Sequence, residues 1–328
     1  MRQLQLSLSK HFIYVPSDKE VEANQVSIRS SILEYCKKRD LDINIYSPLG
    51  YNLVRTVMDV YMDGKEMPTR HYLYQEGAYN NYVIPLIENK HSKLKVAEIT
   101  EWEKAILNRL HWSWFNHLRD EINAIWFSDL LTKINGEERS KYVVYPDKTQ
   151  VFKAFETDIS KIRVVCLAQD PYTNDNANGF AFATNKSQKP VSLQLIEKAI
   201  REDFSYPDNY VLKNDLLHLV NQGVLLLNSS LTVRKGEPNS HAVYWEKFIQ
   251  RVIETLNGFP EPIVFILMGA KAAKFKKYIG NFYHTIYEVE HPAKAAYEQR
   301  SWEHNNIFNK TNQLLKLTTN NEIKWILQ

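Results

Sequence analysis

Four short, mainly apolar runs lie in the C-terminal half of the chain, and each leads into a polar residue or a glycine. They cover residues 164–167, 224–227, 263–268 and 285–290. Continuous apolar runs of this length predict strands that are covered on both faces, as in a parallel sheet. The residues that follow or close these runs are Gln169 and Asp170, Asn228, Gly269, and His291.

Helical spacing separates the predicted strands. One stretch carries apolar residues at i, i+3, i+4, i+7, i+8 and i+11, a second has a similar apolar face, and residues 215–220 form a shorter one. Strands that alternate with helices predict an α/β domain built on a parallel sheet. The two longer apolar faces consist of Trp245, Phe248, Ile249, Val252, Ile253 and Leu256, and of Leu193, Ile196, Ala199 and Ile200.

Polar side chains at the ends of these strands indicate a functional site. In open α/β sheets, ligands bind in the crevice outside the carboxyl ends of the strands. Burial of a core explains the apolar runs, but it does not explain why Asp170, Asn228 and His291 recur where the runs end. We therefore expect these three side chains to meet in one crevice.

Several separated segments, in the right order, resemble one known family. The chain from about residue 112 to 328 is similar to the family 1 uracil-DNA glycosylases, metal-free enzymes that hydrolyse uracil from DNA. The similar segments are YP (145–146), VFKAF (151–155), QDPY (169–172), GFAF (179–182), PVSL (190–193), GVLLLN (223–228), LTV (231–233), HP (291–292) and FNKTN (308–312).

The resemblance implies a fold and a division of the chain. The expected fold is a three-layer αβα domain with a central, parallel, four-stranded sheet, over residues 111–328. Residues 1–110 lie outside the resemblance and are predicted to form a small α/β module, with strands at 12–15 and 42–46 and helices at 20–39 and 53–61. The basic and acidic residues of this segment nearly balance, so its role, including the binding of a protein partner, stays open.

The resemblance also implies a role for each residue of the base site. Cleavage of an N-glycosidic bond leaves positive charge on the sugar and negative charge on the base. Asp170 is expected to stabilise the sugar and orient water, and His291 to donate a hydrogen bond to the uracil O2 anion. Asn228 would read the pyrimidine edge. Of the remaining base-site residues, Phe182 would stack on the flipped base, Tyr172 would exclude thymine, and Gln169 would face the base through its backbone amide.

The DNA-contacting positions depart from the family pattern. Thr173 stands in place of a histidine, Ala270 and Ala293 in place of serines, and Ala295 in place of a leucine that fills the gap left by the extruded base. Nearby lysines could replace hydroxyl contacts with charge contacts to phosphates. We expect weaker action on paired DNA than on single strands. The predicted DNA-binding residues are Pro190, Ser192, Gly269, Lys271, Lys294 and Ala295.

Composition narrows the class of protein. The net charge is only +3, so affinity for DNA must come from a local patch. Two cysteines, Cys36 and Cys166, argue against a disulfide framework and against a cysteine-ligated iron–sulfur cluster. We expect no metal or other cofactor. No signal peptide or membrane span is recognisable, which favours the cytoplasm and no membrane partner.

Three functions remain open at this point. The first is excision of uracil from single- and double-stranded DNA by base flipping, as the initial hydrolase step of base excision repair. The second is a glycosylase for another or modified pyrimidine in foreign DNA, in an antiviral defence role. The third is a catalytically silent, DNA-binding scaffold, which the presence of both Asp170 and His291 disfavours.

Overall fold

The computed structural model describes residues 3–5, 12–14, 102, 105, 106, 109–122 and 124–327. The chain divides into two compact units, Met1–Thr132 and Lys133–Gln328. The domain boundary that we expect near residue 110 stays a prediction. None of the helices in the described ranges is both long and apolar enough to cross a membrane.

The first unit contains two short strands and one complete helix in its described part. Strands β1 (Gln3–Gln5) and β2 (Phe12–Tyr14) pair antiparallel, which confirms the strand predicted at residues 12–15. Helix α1 (Trp112–Ile122) follows, and helix α2 (Ile125–Arg139) runs across the boundary between the units. The other elements predicted for residues 20–39, 42–46 and 53–61 lie outside the described residues.

The second unit contains the predicted parallel sheet. Its strands are β4 (Val164–Ala168), β5 (Val224–Asn228), β7 (Val264–Met268) and β8 (Thr285–Val289). Their order is β5-β4-β7-β8, and every pair is parallel. A separate antiparallel pair joins β3 (Val144–Tyr145) to β6 (Val233–Arg234). The expectation of a four-stranded parallel sheet is therefore confirmed.

Three of these strands are fully buried, and the fourth is partly exposed. Strands β4, β5 and β7 are buried at every residue, as their continuous apolar sequences predict. In β8 only Val289 is buried, and Glu288 is exposed. The prediction of full coverage is therefore wrong for β8. The reason is its place at the edge of the sheet, where side chains such as Thr285 and Glu288 can remain partly in water.

Helices flank the sheet. Helix α5 (Ala242–Asn257) buries all six apolar residues that predicted it, and helix α3 (Val191–Phe204) buries its four. Helix α3 packs against α7 (Pro292–Tyr297) and α8 (Ile307–Thr319), whereas α5 packs against the 3₁₀ turn Lys274–Tyr278. The helices of this unit that follow α2 are α3 (Val191–Phe204), α4 (Leu217–Val220), α5 (Ala242–Asn257), α6 (Ala270–Ala273), α7 (Pro292–Tyr297) and α8 (Ile307–Thr319).

The strand order creates a crevice at the carboxyl end of the sheet. Strands β4 and β7 are neighbours, but the chain leaves β4 towards β5 and leaves β7 towards β8. The loops after β4 and β7 therefore diverge, and the gap between them is the position where open α/β sheets bind ligands. Gln169 follows β4 at this gap and Gly269 follows β7.

Candidate active site

An open cleft of roughly 580 Å³ lies at this divergence. Gln169 contributes from the end of β4, Gly269 from the end of β7, and His291 from the turn after β8. The cleft also carries mixed charge, because lysines and glutamates line it together. The charged lining residues are Lys271, Lys294, Glu288, Glu290 and Glu303.

Asp170 is held by hydrogen bonds to both of its carboxylate oxygens. The Gln169 side-chain Nε2 donates to Oδ1 at 2.9 Å, and the Asn239 backbone N–H donates to Oδ2 at 2.6 Å. Burial raises the pKa of Asp170 above its ordinary value, while these two donors and the charge of Lys271 oppose that shift. The donors stabilise the ionised form, which is the form that can stabilise a developing cation.

Asn228 ends β5 beside the end of β4. It stands opposite Ala168 in the strand register, one residue before Gln169. Its side chain is 4% exposed, and its carbonyl oxygen Oδ1 has no hydrogen-bond partner among the described residues. A buried acceptor without a donor costs about 1–3 kcal/mol. A ligand that brings an N–H group to Oδ1 would recover this energy.

A hydrogen bond joins Tyr172 to the backbone of Phe182. The Tyr172 hydroxyl donates to the Phe182 carbonyl oxygen at 2.8 Å, and burial raises the pKa of Tyr172. Phe182 has a backbone φ of +64°, a left-handed conformation that costs of order 1–3 kcal/mol for a residue with a side chain. Such strain is typical of functional sites, and here it accompanies an aromatic ring next to His291.

His291 lies against Phe182 and caps helix α7. The two ring centroids are 5.4 Å apart, with 38° between the ring planes. Nδ1 of His291 accepts the backbone N–H of Ala293 at 3.2 Å, so in the neutral ring the proton is on Nε2. Burial lowers the pKa of His291 to about 4. The side chain is therefore a neutral hydrogen-bond donor near pH 7.

Gly269 permits the close approach of β7 to His291. A Cβ atom at this position would lie 2.8 Å from the Cβ of His291. The backbone φ of Gly269 is +89°, which disfavours any residue with a side chain. Its N–H donates to the carbonyl of Val289 at 2.8 Å. Glycine at position 269 therefore lets the end of β7 lie closer to His291 than a residue with a Cβ atom would allow.

Contacts link the predicted base-site residues in two groups, and one member of each group, Gln169 and His291, lines the cleft. Gln169 bonds to Asp170, and its backbone carbonyl accepts the Ser229 hydroxyl at 2.6 Å, next to Asn228. Phe182 joins Tyr172 to His291. Gln169 and His291 are 122 positions apart in the sequence.

The predicted DNA-contacting residues differ in their burial and in their charge partners. Lys271 is near enough to Asp170 to favour its ionised form. Lys294 Nζ is 2.9 Å from Glu290 Oε1, so part of its charge is neutralised within the protein. Pro190 precedes α3 and Ser192 is buried in its first turn. Their contacts with DNA stay predictions.

Ala295 is fully buried in α7. This burial does not agree with a contact between Ala295 and DNA in this conformation, because its methyl group faces the protein interior. The large exposed side chain on the same helix is Tyr297, which is 90% exposed. Periodicity could have separated these positions, because residues two apart lie on different faces of a helix.

Sequence reasoning did not find Asn239 or the residues that anchor its loop. Asn239 is 69 positions from the carboxylate that it contacts, and no local pattern marks it. Its loop is tied to Glu137, which accepts hydrogen bonds from Arg234 and pairs with His241. The one available signal is the cluster of polar residues between β6 and α5.

Comparison with known proteins decides the family. A model described as the uracil DNA glycosylase superfamily matches residues 155–316. A Coxiella burnetii protein (strain CbuG_Q212) called uracil-DNA glycosylase is 37% identical over 221 residues, which are 66% of this chain and 94% of the relative. The chain belongs to the uracil-DNA glycosylase family. A uracil-DNA glycosylase from Bacillus cereus (strain AH187) is 41% identical over 196 residues, 58% of this chain and 84% of the relative.

Solved structures agree with the fold of a uracil-DNA glycosylase. The crystal structure of mimivirus uracil-DNA glycosylase matches with a TM-score of 0.62 and 22% sequence identity, covering 73% of this chain and 92% of that one. A likeness at this level of identity concerns the fold. It supports the expected α/β architecture around the parallel sheet.

Proposed function

We propose that this protein hydrolyses the N-glycosidic bond of uracil in DNA, releasing uracil and leaving an abasic site for base excision repair. Membership of the uracil-DNA glycosylase family supports this activity. The structural observation that carries the proposal is the buried carbonyl oxygen of Asn228, which has no hydrogen-bond partner in the described part of the chain. Asn228 ends β5 at the same edge of the sheet where Asp170 follows β4 and His291 follows β8.

Asn228 accounts for the choice of base. Uracil presents an N3–H donor and an O4 acceptor, which match the carbonyl and the amide of Asn228. Cytosine presents an acceptor at N3 and a donor at N4, so it would leave the buried Oδ1 without a donor. Sites that hydrogen-bond their substrate reject analogues strongly for this reason. The flipped base would stack on Phe182, with Tyr172 excluding a methyl group at C5.

Asp170 and His291 divide the chemical work between the two sides of the bond. As the C1′–N1 bond breaks, the bonding electron pair leaves with uracil and the sugar becomes cation-like. The Asp170 carboxylate stabilises the sugar, and Nε2–H of His291 donates to O2 of the departing base. Each well-placed group of this kind is worth about 10²–10³ in rate. Water then adds to C1′, and the uracil anion takes up a proton from solvent.

The two other functions that the sequence leaves open have less support. A pocket for a bulky modified pyrimidine would need Tyr172 to move, yet its hydroxyl bonds to the Phe182 backbone. A silent scaffold would have no use for a strained Phe182 beside a neutral His291. Binding of a protein partner through residues 1–110 and location in the cytoplasm stay predictions.

The decisive experiment uses single-uracil oligonucleotides. The purified protein should release free uracil from single-stranded and U:A duplex DNA, and matched cytosine, thymine and modified-cytosine substrates should remain intact. The Asp170→Asn variant should bind the same DNA with unchanged affinity and lose at least about a hundredfold in the single-turnover rate. The proposal fails if the wild-type protein releases no uracil, or releases a modified pyrimidine faster.

The proposed chemistry needs no metal, which the same assay can test. Uracil release should continue at the same rate when a chelator is present throughout purification and assay. Activity that disappears with the chelator and returns with an added divalent cation would contradict the roles given to Asp170 and His291.

A further inference from the structure

The loop between β6 and α5 is anchored at both ends by one carboxylate. Arg234, at its start, donates from Nε and Nη2 to the two oxygens of Glu137, each at 2.7 Å. His241, at its end, places Nε2 at 2.7 Å from Glu137 Oε2. Hydrogen bonds from Arg234 lower the pKa of Glu137 to about 2. Glu137 is therefore ionised at neutral pH and ties the loop, residues 234–241, at both ends.

A buried network holds the end of the same loop. His241 is completely buried, and its Nδ1 is 2.8 Å from the hydroxyl oxygen of Thr232. The Trp245 indole N–H donates to that hydroxyl oxygen at 2.6 Å. These partners fix the imidazole from both nitrogens, so the loop has little freedom near its C-terminal end.

The anchored loop closes over the segment that carries Asp170. The backbone N–H of Gly236 donates to the Thr173 carbonyl at 3.0 Å, and that of Asn239 donates to Asp170 Oδ2 at 2.6 Å. Asn239 has a backbone φ of +66°, a conformation that asparagine tolerates better than most residues. Two backbone contacts therefore bring this residue next to the catalytic carboxylate.

The side chain of Asn239 has one feature that these backbone contacts do not explain. Its carbonyl oxygen Oδ1 is buried and has no hydrogen-bond partner in the described part of the chain. Covalent geometry keeps Oδ1 within about 5 Å of the Asn239 nitrogen, and that nitrogen contacts Asp170. Oδ1 has almost no contact with solvent in this conformation, so a rotation of the side chain that turns Oδ1 towards the carboxylate is the step that lets one water molecule bridge the two acceptors.

We propose that Asn239 Oδ1 and the carboxylate of Asp170 together hold the water molecule that attacks C1′ of the deoxyribose. This role rests on the proposed glycosylase activity and assigns a further residue to it. Water donates one hydrogen to each acceptor, which directs a lone pair of its oxygen away from both of them. One acceptor alone would leave the water free to rotate about that hydrogen bond.

The charges of the two acceptors suit the reaction. Asn239 is neutral, so it adds an acceptor without the repulsion that a second carboxylate would exert on Asp170. Its backbone N–H meanwhile stabilises the ionised form of Asp170. In the reaction the water oxygen bonds to C1′, the C1′–N1 electron pair leaves with uracil, and the water proton passes to Asp170 and then to solvent.

Methanol is a direct probe of a water held by two acceptors. Methanol has one O–H, so it can satisfy Asp170 or Asn239 but not both. When it attacks, its oxygen bonds to C1′ and its proton passes to Asp170, which gives a methyl glycoside instead of the free abasic sugar. Mass spectrometry of uracil DNA treated in a water–methanol mixture measures the ratio of these two products.

The key variant is Asn239→Gly. Glycine accepts the left-handed backbone and keeps the N–H that binds Asp170, so the change removes the side-chain acceptor. We expect the ratio of methyl glycoside to abasic sugar to rise about tenfold, the effect of one lost hydrogen bond, and the single-turnover hydrolysis rate to fall with unchanged DNA affinity. The Asn239→Asp variant keeps an acceptor oxygen and should retain a low ratio.

Two further variants separate hydrogen bonding from other effects. Asn239→Leu fills a similar volume without an acceptor, so its ratio should also rise, and urea unfolding checks that the variant tolerates the left-handed backbone at this position. Asn320→Gly is the matched control, because Asn320 has a similar φ of +51° at the end of α8, outside the site. Its product ratio should equal that of the wild type.

Each outcome decides the assignment. A ratio that rises in Asn239→Gly but not in Asn239→Leu would show that space alone admits methanol, and would overturn the role of Oδ1. A ratio unchanged in both variants would overturn it as well. Wild-type protein that releases no uracil would instead refute the proposed function, and the assignment of Asn239 with it.

Discussion

The protonation state of His291 provides the sharpest test of the site. Burial lowers its pKa from 6.5 to about 4, and Nδ1 already accepts the N–H of Ala293. At pH 7 the ring should therefore be protonated in only about one molecule in a thousand. We expect a neutral imidazole with its proton on Nε2, ready to donate to the base.

The same shift has a consequence for stability, and its sign is definite. A histidine whose pKa is lowered in the folded protein binds its proton more readily when unfolded. The stability that the neutral ring of His291 allows is therefore complete above pH 6.5, and the free energy of unfolding decreases as the pH falls from 6.5 towards 4. The change in the free energy of unfolding over this window is at most about 3 kcal/mol, from 1.36 kcal/mol per pKa unit.

Nuclear magnetic resonance can measure the protonation state of His291 directly. In protein labelled with ¹⁵N at histidine, the ring nitrogens of His291 should report a neutral Nε2–H tautomer from pH 8 down to about 5. The rate of uracil release should stay level across pH 6–8, where an ordinary histidine titrates, and fall in more acidic solution as Asp170 takes up a proton. The raised pKa of Asp170 places that fall above the range of an exposed aspartate.

Two results would refute this reasoning. A midpoint for His291 at or above 6.5 would mean that the ring acts as a cation, not as a neutral donor. A proton on Nδ1 would mean that the ring does not cap α7 through that nitrogen. The His291→Ala variant identifies the resonances and, by its loss of rate, tests whether the ring takes part in the chemical step.

Three further predictions concern other parts of the site. Asn228→Asp should release cytosine, since a protonated carboxyl can offer a donor to N3 and an acceptor to N4; a folded variant that leaves cytosine DNA intact would contradict the pocket assignment. In Gly269→Ala, the new Cβ would lie 2.8 Å from that of His291. We expect this variant to lower the free energy of unfolding by about 1–3 kcal/mol, measured by urea unfolding, and to slow single-turnover uracil release more than it weakens DNA binding. An unchanged stability and an unchanged rate would show that the turn adapts to the methyl group. Tyr297→Ala should reduce the rate of uracil release from U:A duplex DNA by about tenfold relative to single strands, because an exposed ring can fill the gap left by an extruded base. Tyr297→Phe should retain the wild-type rate. Equal losses on both substrates would show that Tyr297 does not fill this gap.

The sequence alone was sufficient to predict the parallel sheet and to single out the polar residues at the carboxyl ends of its strands. Continuous apolar runs predicted β4, β5 and β7, because strands buried on both faces leave no polar alternation. The polar residues Asp170 and Asn228 were recognisable because they end those runs, and the carboxyl ends of neighbouring parallel strands meet at one edge. The order of apolar and polar residues along the chain was therefore enough to predict these strands and the residues at their ends.

Only the tertiary structure decided the supporting parts of the site. Asn239 contacts Asp170 because Glu137 anchors both ends of its loop, and contacts between distant segments leave no periodic pattern in the sequence. At the short helix α7, periodicity separates Ala295 from Tyr297, but only the packing of the helix decided that Ala295 faces the interior and Tyr297 faces solvent. The partial exposure of β8 follows from its edge position, which depends on the order of strands and not on the composition of any one of them.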